Sequence, residues 1–368
     1  MKVPFADLFR QFKPLVPEIQ IAMNSIIERC AFINGPEVQQ FERHMAKWIG
    51  LPEVCGVSNC TQALEMTMQA LAIGPGDEVI TVPNTAFPTT EAINLTGARV
   101  VFADITPGYF SIDPAQIEKK ITSKTKAIIP VHLYGIPADM NAILAIAKKH
   151  SLYVIEDCAQ AQGARYKGTY VGTMGTASCF SFFPSKNLGT FGDGGAMASA
   201  DTGLIKKVRM IANHGRIDKY SHLIVGTNSR LDTFKAAQLS ICLNHLDAWN
   251  QQRRDAAVLY EELLTPYKGI KLPRVPEGCE AIWHVYAIRH AKRDELTAYL
   301  KKQGIDTGLH YPMPLHFQPV YESMGLQKGS LPEAEAACAE VLSLPMFPGI
   351  TDDEIQWVSK AIGDFCKQ

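Results

Sequence analysis

Between residues 126 and 157 the chain passes through an apolar stretch, a helix-patterned stretch and a second apolar stretch that ends in two acids. Few folds accept that order. The run Lys126-Ala127-Ile128-Ile129-Pro130-Val131 is almost continuously apolar and suits a strand covered on both faces. Residues 140–150 carry helical spacing, and Leu152-Tyr153-Val154-Ile155-Glu156-Asp157 reads as another strand. The alternation predicts a layered α/β domain with a mainly parallel sheet, whose ligands collect beyond the carboxyl ends of the strands.

The flanking sequence extends this pattern. Residues 37–49 and 61–72 predict helices, the second with Leu64, Met68 and Leu71 on one face and Thr61 near its start. A Gly74-Pro75-Gly76-Asp77 turn leads to a strand over 78–82, and a further strand is predicted at 99–103. A long helical stretch at 233–264 leaves the large domain, with shorter helices expected at 293–303 and 332–342. The expected division is 1–250 for the large domain and 251–368 for the small one.

The composition excludes several classes of function. With 36 basic and 37 acidic residues in 368, the formal net charge is -1, so no basic field exists to neutralise a nucleic-acid backbone. No apolar run is long enough to span a bilayer, and the N-terminal residues lack the order of a secretory signal, so the cytoplasm is the expected compartment. The nine cysteines form no CxxC pair; core thiols are expected, and no structural zinc or other metal site.

Chemistry concentrates in Phe180-Ser181-Phe182-Phe183-Pro184-Ser185-Lys186-Asn187-Leu188-Gly189. Lys186 lies in an apolar, proline-stiffened turn, where desolvation lowers an amine's pKa and readies it to form a Schiff base with a carbonyl. Asp157, at a strand's carboxyl end, is placed to pair with a protonated ring nitrogen; capping a helix or forming a loop salt bridge is the plainer alternative. Ser58-Asn59-Cys60-Thr61-Gln62-Ala63 offers unpaired first-turn amides to a phosphate, or an ordinary N-cap. Ser181 could add a hydroxyl. Amine, carboxylate and phosphate donors together are what an aldehyde cofactor built on a pyridine ring requires.

Almost the whole chain, from Pro4-Phe5-Ala6-Asp7-Leu8 to Pro345-Met346-Phe347-Pro348, resembles the DegT/DnrJ/EryC1/StrS family of pyridoxal-phosphate (PLP) sugar aminotransferases. Passages carrying the likeness include Phe32-Ile33-Asn34-Gly35-Pro36, Val131-His132-Leu133-Tyr134-Gly135, Glu156-Asp157-Cys158-Ala159-Gln160, the Lys186 loop and Asn228-Ser229-Arg230-Leu231-Asp232. The resemblance implies the aspartate aminotransferase-like fold type I, with a large, mainly parallel-sheet domain and a small C-terminal α+β domain. It also implies a homodimer with shared active sites.

By the same resemblance, Lys186 carries the cofactor and moves protons, Asp157 pairs with the ring nitrogen and Gln160 lies close to the ring. Cys60, Thr61 and Ser181 match phosphate-binding positions, and Asn228 matches an asparagine that reaches the phosphate from the neighbouring subunit. Asn34, His214, Arg216, Tyr220 and Arg230 lie where members hold substrate or shape the pocket. Two positions depart from the family: Cys60 stands where most relatives have glycine, and Ala86 where an aromatic commonly covers the ring. Phe87 is the remaining candidate for that cover.

The implied reaction moves an amino group from L-glutamate to a nucleotide-linked keto sugar, making an amino sugar. Gly308-Leu309-His310-Tyr311-Pro312-Met313-Pro314-Leu315-His316 resembles members that aminate C3 of a dTDP- or UDP-linked hexose, which makes His310, Tyr311 and His316 candidate substrate contacts. A 4-keto sugar or a keto-cyclitol would use the same cofactor apparatus. A sugar 3-dehydratase of this fold usually has histidine in place of the lysine, and a non-enzymatic relative would be marked by loss of Lys186 or Asp157.

Overall fold

The computed structural model describes residues 1–367, and the α/β pattern closes into one seven-stranded sheet. In chain order its strands are β1 (Glu53–Val57), β2 (Glu78–Thr81), β3 (Arg99–Phe102), β4 (Thr125–Ile128) and β5 (Tyr153–Asp157). Two short strands, β6 (Arg165–Tyr166) and β7 (Thr169–Tyr170), form a hairpin outside the sheet, which β8 (Ala177–Ser181) and β9 (Gly195–Ser199) then complete. The spatial order is β1-β9-β8-β5-β4-β2-β3. Neighbours from β8 to β3 are parallel, whereas β9 runs antiparallel to both β8 and β1.

Successive residues of these strands enter different cores, as a period of two requires. Ile80, Ile128, Val154 and Ala196 join one apolar cluster, while their neighbours Val79, Ala127, Ile155 and Met197 join another. Both faces are therefore covered, and no side is left for an alternating polar pattern. The functional consequence lies at the carboxyl edge. The helix Cys60–Ala70 starts just beyond β1 and the helix Phe87–Leu95 beyond β2, while Asp157 and Ser181 end β5 and β8.

A third apolar cluster forms the small domain's core. It contains β11 (Tyr286–Arg289), following the two-residue β10 (Cys279–Glu280), and β12 (Val341–Leu344), paired antiparallel. The helices Arg293–Lys302 and Asp352–Cys366 pack in the same region, the latter begun by a Thr351/Glu354 capping box. The helix Leu246–Leu264 bridges the cores: Leu246 and Trp249 belong to the sheet side, Tyr260 and Leu264 to the C-terminal side. Val3 also lies in the C-terminal core, where it bridges to Ile305.

Two expected elements differ in extent. The stretch 233–264 is two helices, Thr233–Leu243 and Leu246–Leu264, because the amides of Asn244 and His245 tighten onto carbonyls three residues back. The helix expected at 332–342 ends at Glu340, where Val341 turns extended to begin β12.

Candidate active site

A cavity of about 600 Å³ opens at the carboxyl edge of the sheet. Its walls bring together Cys60, Thr61, Phe87, Asp157, Gln160, Ser181, Lys186, His310 and Tyr311, all singled out from the sequence. At the β1 end, Asn59 caps the helix by accepting from the Gln62 amide at 2.8 Å, and Ala63 donates to the Asn59 carbonyl. The Cys60 and Thr61 amides thus precede the first intrahelical bond and remain free for an anion. Gly195 makes this approach possible, since a Cβ there would sit 2.4 Å from the Asn59 carbonyl carbon.

Lys186 is held by its loop, its own amide donating to the Phe183 carbonyl at 2.8 Å. Burial brings its amine down to about 8, with Asp157 and Cys60 opposing the shift. Asp157 is buried, accepts from the Ala159 amide at 3.1 Å and from the Thr89 hydroxyl at 2.8 Å, and is nevertheless pushed up by burial. Two donors do not offset the loss of water, and the carboxylate keeps capacity for a cationic partner.

Gln160 accepts from the Tyr134 amide at 2.7 Å and lies 3.4 Å from the Tyr311 hydroxyl. His310 bonds through Nδ1 to the Ser343 hydroxyl at 2.9 Å, and burial beside Lys186 lowers it to about 4. Phe87 opens its helix and is 39% exposed, its ring tilted towards Tyr321. Ala86 offers the cavity only a methyl group; the aromatic side chains that line it are those of Phe87, Phe183 and Tyr311, besides the imidazoles of His284 and His310.

Sequence reasoning missed His284, whose Nε2 lies 3.4 Å from Lys186 Nζ. It stands in Trp283-His284-Val285-Tyr286, just before β11, with no motif to mark it. Its only signal is spatial: Asn187, adjacent to the lysine, bonds to both His284 and the Ile282 carbonyl.

The remaining candidates lie elsewhere in the protomer. Asn34 and Arg230 line a separate cavity of about 260 Å³ with Arg209 and Asn213, where Arg230 donates to Asn213 at 3.2 Å. His214, Arg216, Tyr220 and Asn228 belong to a projecting loop, with Asn213 bridged to Asn228 and Tyr220 81% exposed. His316 does not line the main cavity; it is buried, 3.2 Å from Glu335, because the Leu315–Phe317 turn directs it against Phe102. His132, Glu156 and Cys158 cluster beneath β5, but the Ala138 amide donates to His132 Nδ1, which puts the proton on Nε2 facing Glu156 and leaves no free imidazole ligand. The nine cysteines are unpaired, and among the described residues no helix is long and apolar enough to cross a membrane.

Residues 15–363 match the model of the DegT/DnrJ/EryC1/StrS aminotransferase family. The chain belongs to that family. It is a PLP-dependent aminotransferase of fold type I, with a large, mostly parallel sheet domain and a smaller C-terminal α+β domain. A relative from Geobacillus stearothermophilus named a pleiotropic regulatory protein is 48% identical over 99% of each chain. A Streptomyces venezuelae dTDP-3-amino-3,4,6-trideoxy-alpha-D-glucose transaminase is 40% identical, covering 100% of this chain and 97% of its own. The solved S. venezuelae DesV structure, in complex with a ketimine intermediate, superposes with a TM-score of 0.98 at 40% identity, over 100% and 99% of the two chains.

The residues present in this aminotransferase fit PLP. An anion would find the free amides at Cys60 and Thr61, a protonated ring nitrogen the under-satisfied Asp157 carboxylate, and an aldehyde the Lys186 amine, all on one cavity.

Proposed function

We propose that this aminotransferase moves nitrogen from L-glutamate to the 3-keto group of a nucleotide-linked hexose, dTDP- or UDP-borne, in amino-sugar biosynthesis. The observation that carries the reading is Lys186 and Asp157 on one cavity whose outer wall is the His310-Tyr311 loop. The likeness to a transaminase whose product carries its amino group at C3 supports the regiochemistry. A 4-keto sugar or a keto-cyclitol is the alternative acceptor.

Bound in the cavity, PLP supplies an aldehyde that exchanges amines and a ring that takes up the electrons freed at the donor's α carbon. Asp157 would keep the ring nitrogen protonated. Cys60, Thr61 and Ser181 would hold the phosphate, and Gln160 and Phe87 would flank the ring. Lys186 would take the proton from the donor's α carbon and, in the second half of the exchange, give one to the carbon that was the acceptor's carbonyl, a task suited to an amine poised at about 8. His310 and Tyr311 line the route that a sugar would enter.

The working unit in this proposal is a homodimer, with the large domain at 1–250 and the small one at 251–368. The loop bearing His214, Arg216, Tyr220 and Asn228 would complete the partner's cavity, with Asn34, Arg230 and His316 shaping its approaches. Ile217, Leu223 and Val225 expose apolar side chains on that same loop, as a segment that packs against a second copy requires.

An absorption titration of the cofactor-loaded protein tests the reading. L-Glutamate should bleach the long-wavelength cofactor band, and a nucleotide 3-keto sugar, but not the 4-keto isomer, should restore it. No response to glutamate, or recovery with the 4-keto sugar alone, would overturn the donor or the regiochemistry respectively.

A further inference from the structure

A lysine that must leave its cofactor and return to it has a control problem. Its four-carbon stem is flexible and its ammonium has three rotatable donors, so release disperses the amine unless something holds it. His284 Nε2, 3.4 Å from Lys186 Nζ, is the nitrogen that faces it.

Which ring nitrogen of His284 carries the proton follows from a chain of fixed amides. Gln162 Nε2 donates to the Ser181 main-chain carbonyl at 2.5 Å, and Asn250 Nδ2 donates to the main-chain carbonyl of Gln162 at 2.9 Å. That second bond orients Asn250, whose Oδ1 accepts from Asn187 Nδ2 at 2.7 Å; the same nitrogen also donates to the Ile282 carbonyl at 3.1 Å. Asn187 therefore turns its Oδ1 to His284 Nδ1, 3.1 Å away, and only an N–H can meet it. In the neutral ring, Nε2 is left with a bare lone pair, aimed at Lys186.

The ring is also fixed in place. The His284 amide donates to the Tyr134 carbonyl at 2.9 Å, and Arg253 Nη1 reaches the carbonyls of Trp283, His284 and Met346 at 3.2, 3.4 and 2.9 Å. Burial, and then the cations Lys186 and Arg253 with His310 beyond them, hold His284 well below its ordinary pKa. It thus stays an acceptor and leaves the proton on the amine.

We propose that His284 is a positioning residue for Lys186: its Nε2, fixed as an acceptor by the Asn187–Asn250–Gln162 chain, holds one Lys186 N–H and aims the free amine into the cavity. The proposal rests on the reading of Lys186 as an amine that leaves and returns. It adds a residue from the small-domain side to that cycle, so the position of β11 and the aim of the lysine are linked.

Two measurements separate this proposal from the reading beneath it. In cofactor-free protein labelled with ¹⁵N-histidine, the His284 ring should show a protonated Nδ1 and a bare Nε2 from pH 6.5 to 8. An imidazolium, or the opposite tautomer, overturns the proposal whatever reaction the protein catalyses. In loaded protein, His284→Ala should slow the glutamate-driven absorbance change about 100-fold, because a misplaced reacting group costs on that order. The apparent affinity for glutamate should stay within about threefold, since ground-state binding is untouched. His284→Gln, whose side-chain oxygen can accept where Nε2 does, should recover most of the rate. An alanine variant as fast as the parent sinks the positioning role. A parent that ignores glutamate sinks the reaction instead, and the tautomer result stands.

Discussion

Glu156 and Asp157 are adjacent, fully buried acids at the end of β5, and the protein treats them in opposite ways. Glu156 accepts from the amides of Gly172, Met174 and Gly175 at 2.7, 2.9 and 2.7 Å, with His132 Nε2 at 3.0 Å. Burial pushes its pKa up, but the bond from His132 and the backbone donors outweigh it and leave the group below the ordinary range. Asp157, with the Ala159 amide and one hydroxyl, ends above its ordinary range. One strand thus presents a saturated carboxylate to one face and an unsaturated one to the other. The saturated acid ties loops together; the unsaturated one keeps capacity for a further partner. Burial alone does not distinguish structure from function; the donor count does.

Two substitutions test the contrast. On the proposed reading, Asp157→Asn should reduce turnover about a thousandfold by removing the charge that would face the ring nitrogen. Its cofactor-free stability should stay within about 1 kcal/mol of the parent or rise, because a costly buried charge has gone. Steady-state kinetics and denaturant unfolding read both arms, and a variant that fails to fold would erase the distinction. Glu156→Gln should show the reverse pattern, a loss of about 3 kcal/mol as an amide NH₂ meets donors it cannot satisfy, with turnover of the folded protein within about threefold. Lost activity at full stability would make Glu156 functional after all.

Lys186 extends the comparison to a cation. Its folded pKa of about 8 lies below the ordinary 10.5, so the unfolded chain binds more protons between those values. The amine's contribution is therefore destabilising below about pH 8 and is relieved as pH rises from about 8 to 10.5. Lys186→Met should abolish turnover, stabilise cofactor-free protein by about 3 kcal/mol at pH 7, and flatten its stability over that window. A parent stability that does not rise across the window would place the amine in a wetter setting than the cavity floor.

Legibility in the sequence followed the strength of local patterning. β4, β5 and the helix Met140–His150 were readable because apolar period and length agreed, and Lys186 and Asp157 followed from loop context and strand end. β1 and β9 escaped notice because Glu53-Val54-Cys55-Gly56-Val57 and Gly195-Ala196-Met197-Ala198-Ser199 are short and small-residue rich, formed by their partners rather than by β propensity. His284 could not be found locally, since its meaning depends on an asparagine 97 residues away. The loop residues Asn228 and Tyr220 carried a family signal that geometry within one protomer does not gather into the cavity.

The pairing of β1 with β9 also sets a timetable for the nascent chain. β1 leaves the ribosome before every other strand of the sheet, yet its only partner there is the last to be made. Until residues 195–199 emerge, both rows of β1 backbone groups must find water or a chaperone, and closing so long a loop makes the step slow. The same closure brings Gly195 against Asn59 and Cys60. The corner of the cavity at the start of the Cys60–Ala70 helix is therefore complete only once β9 has paired with β1.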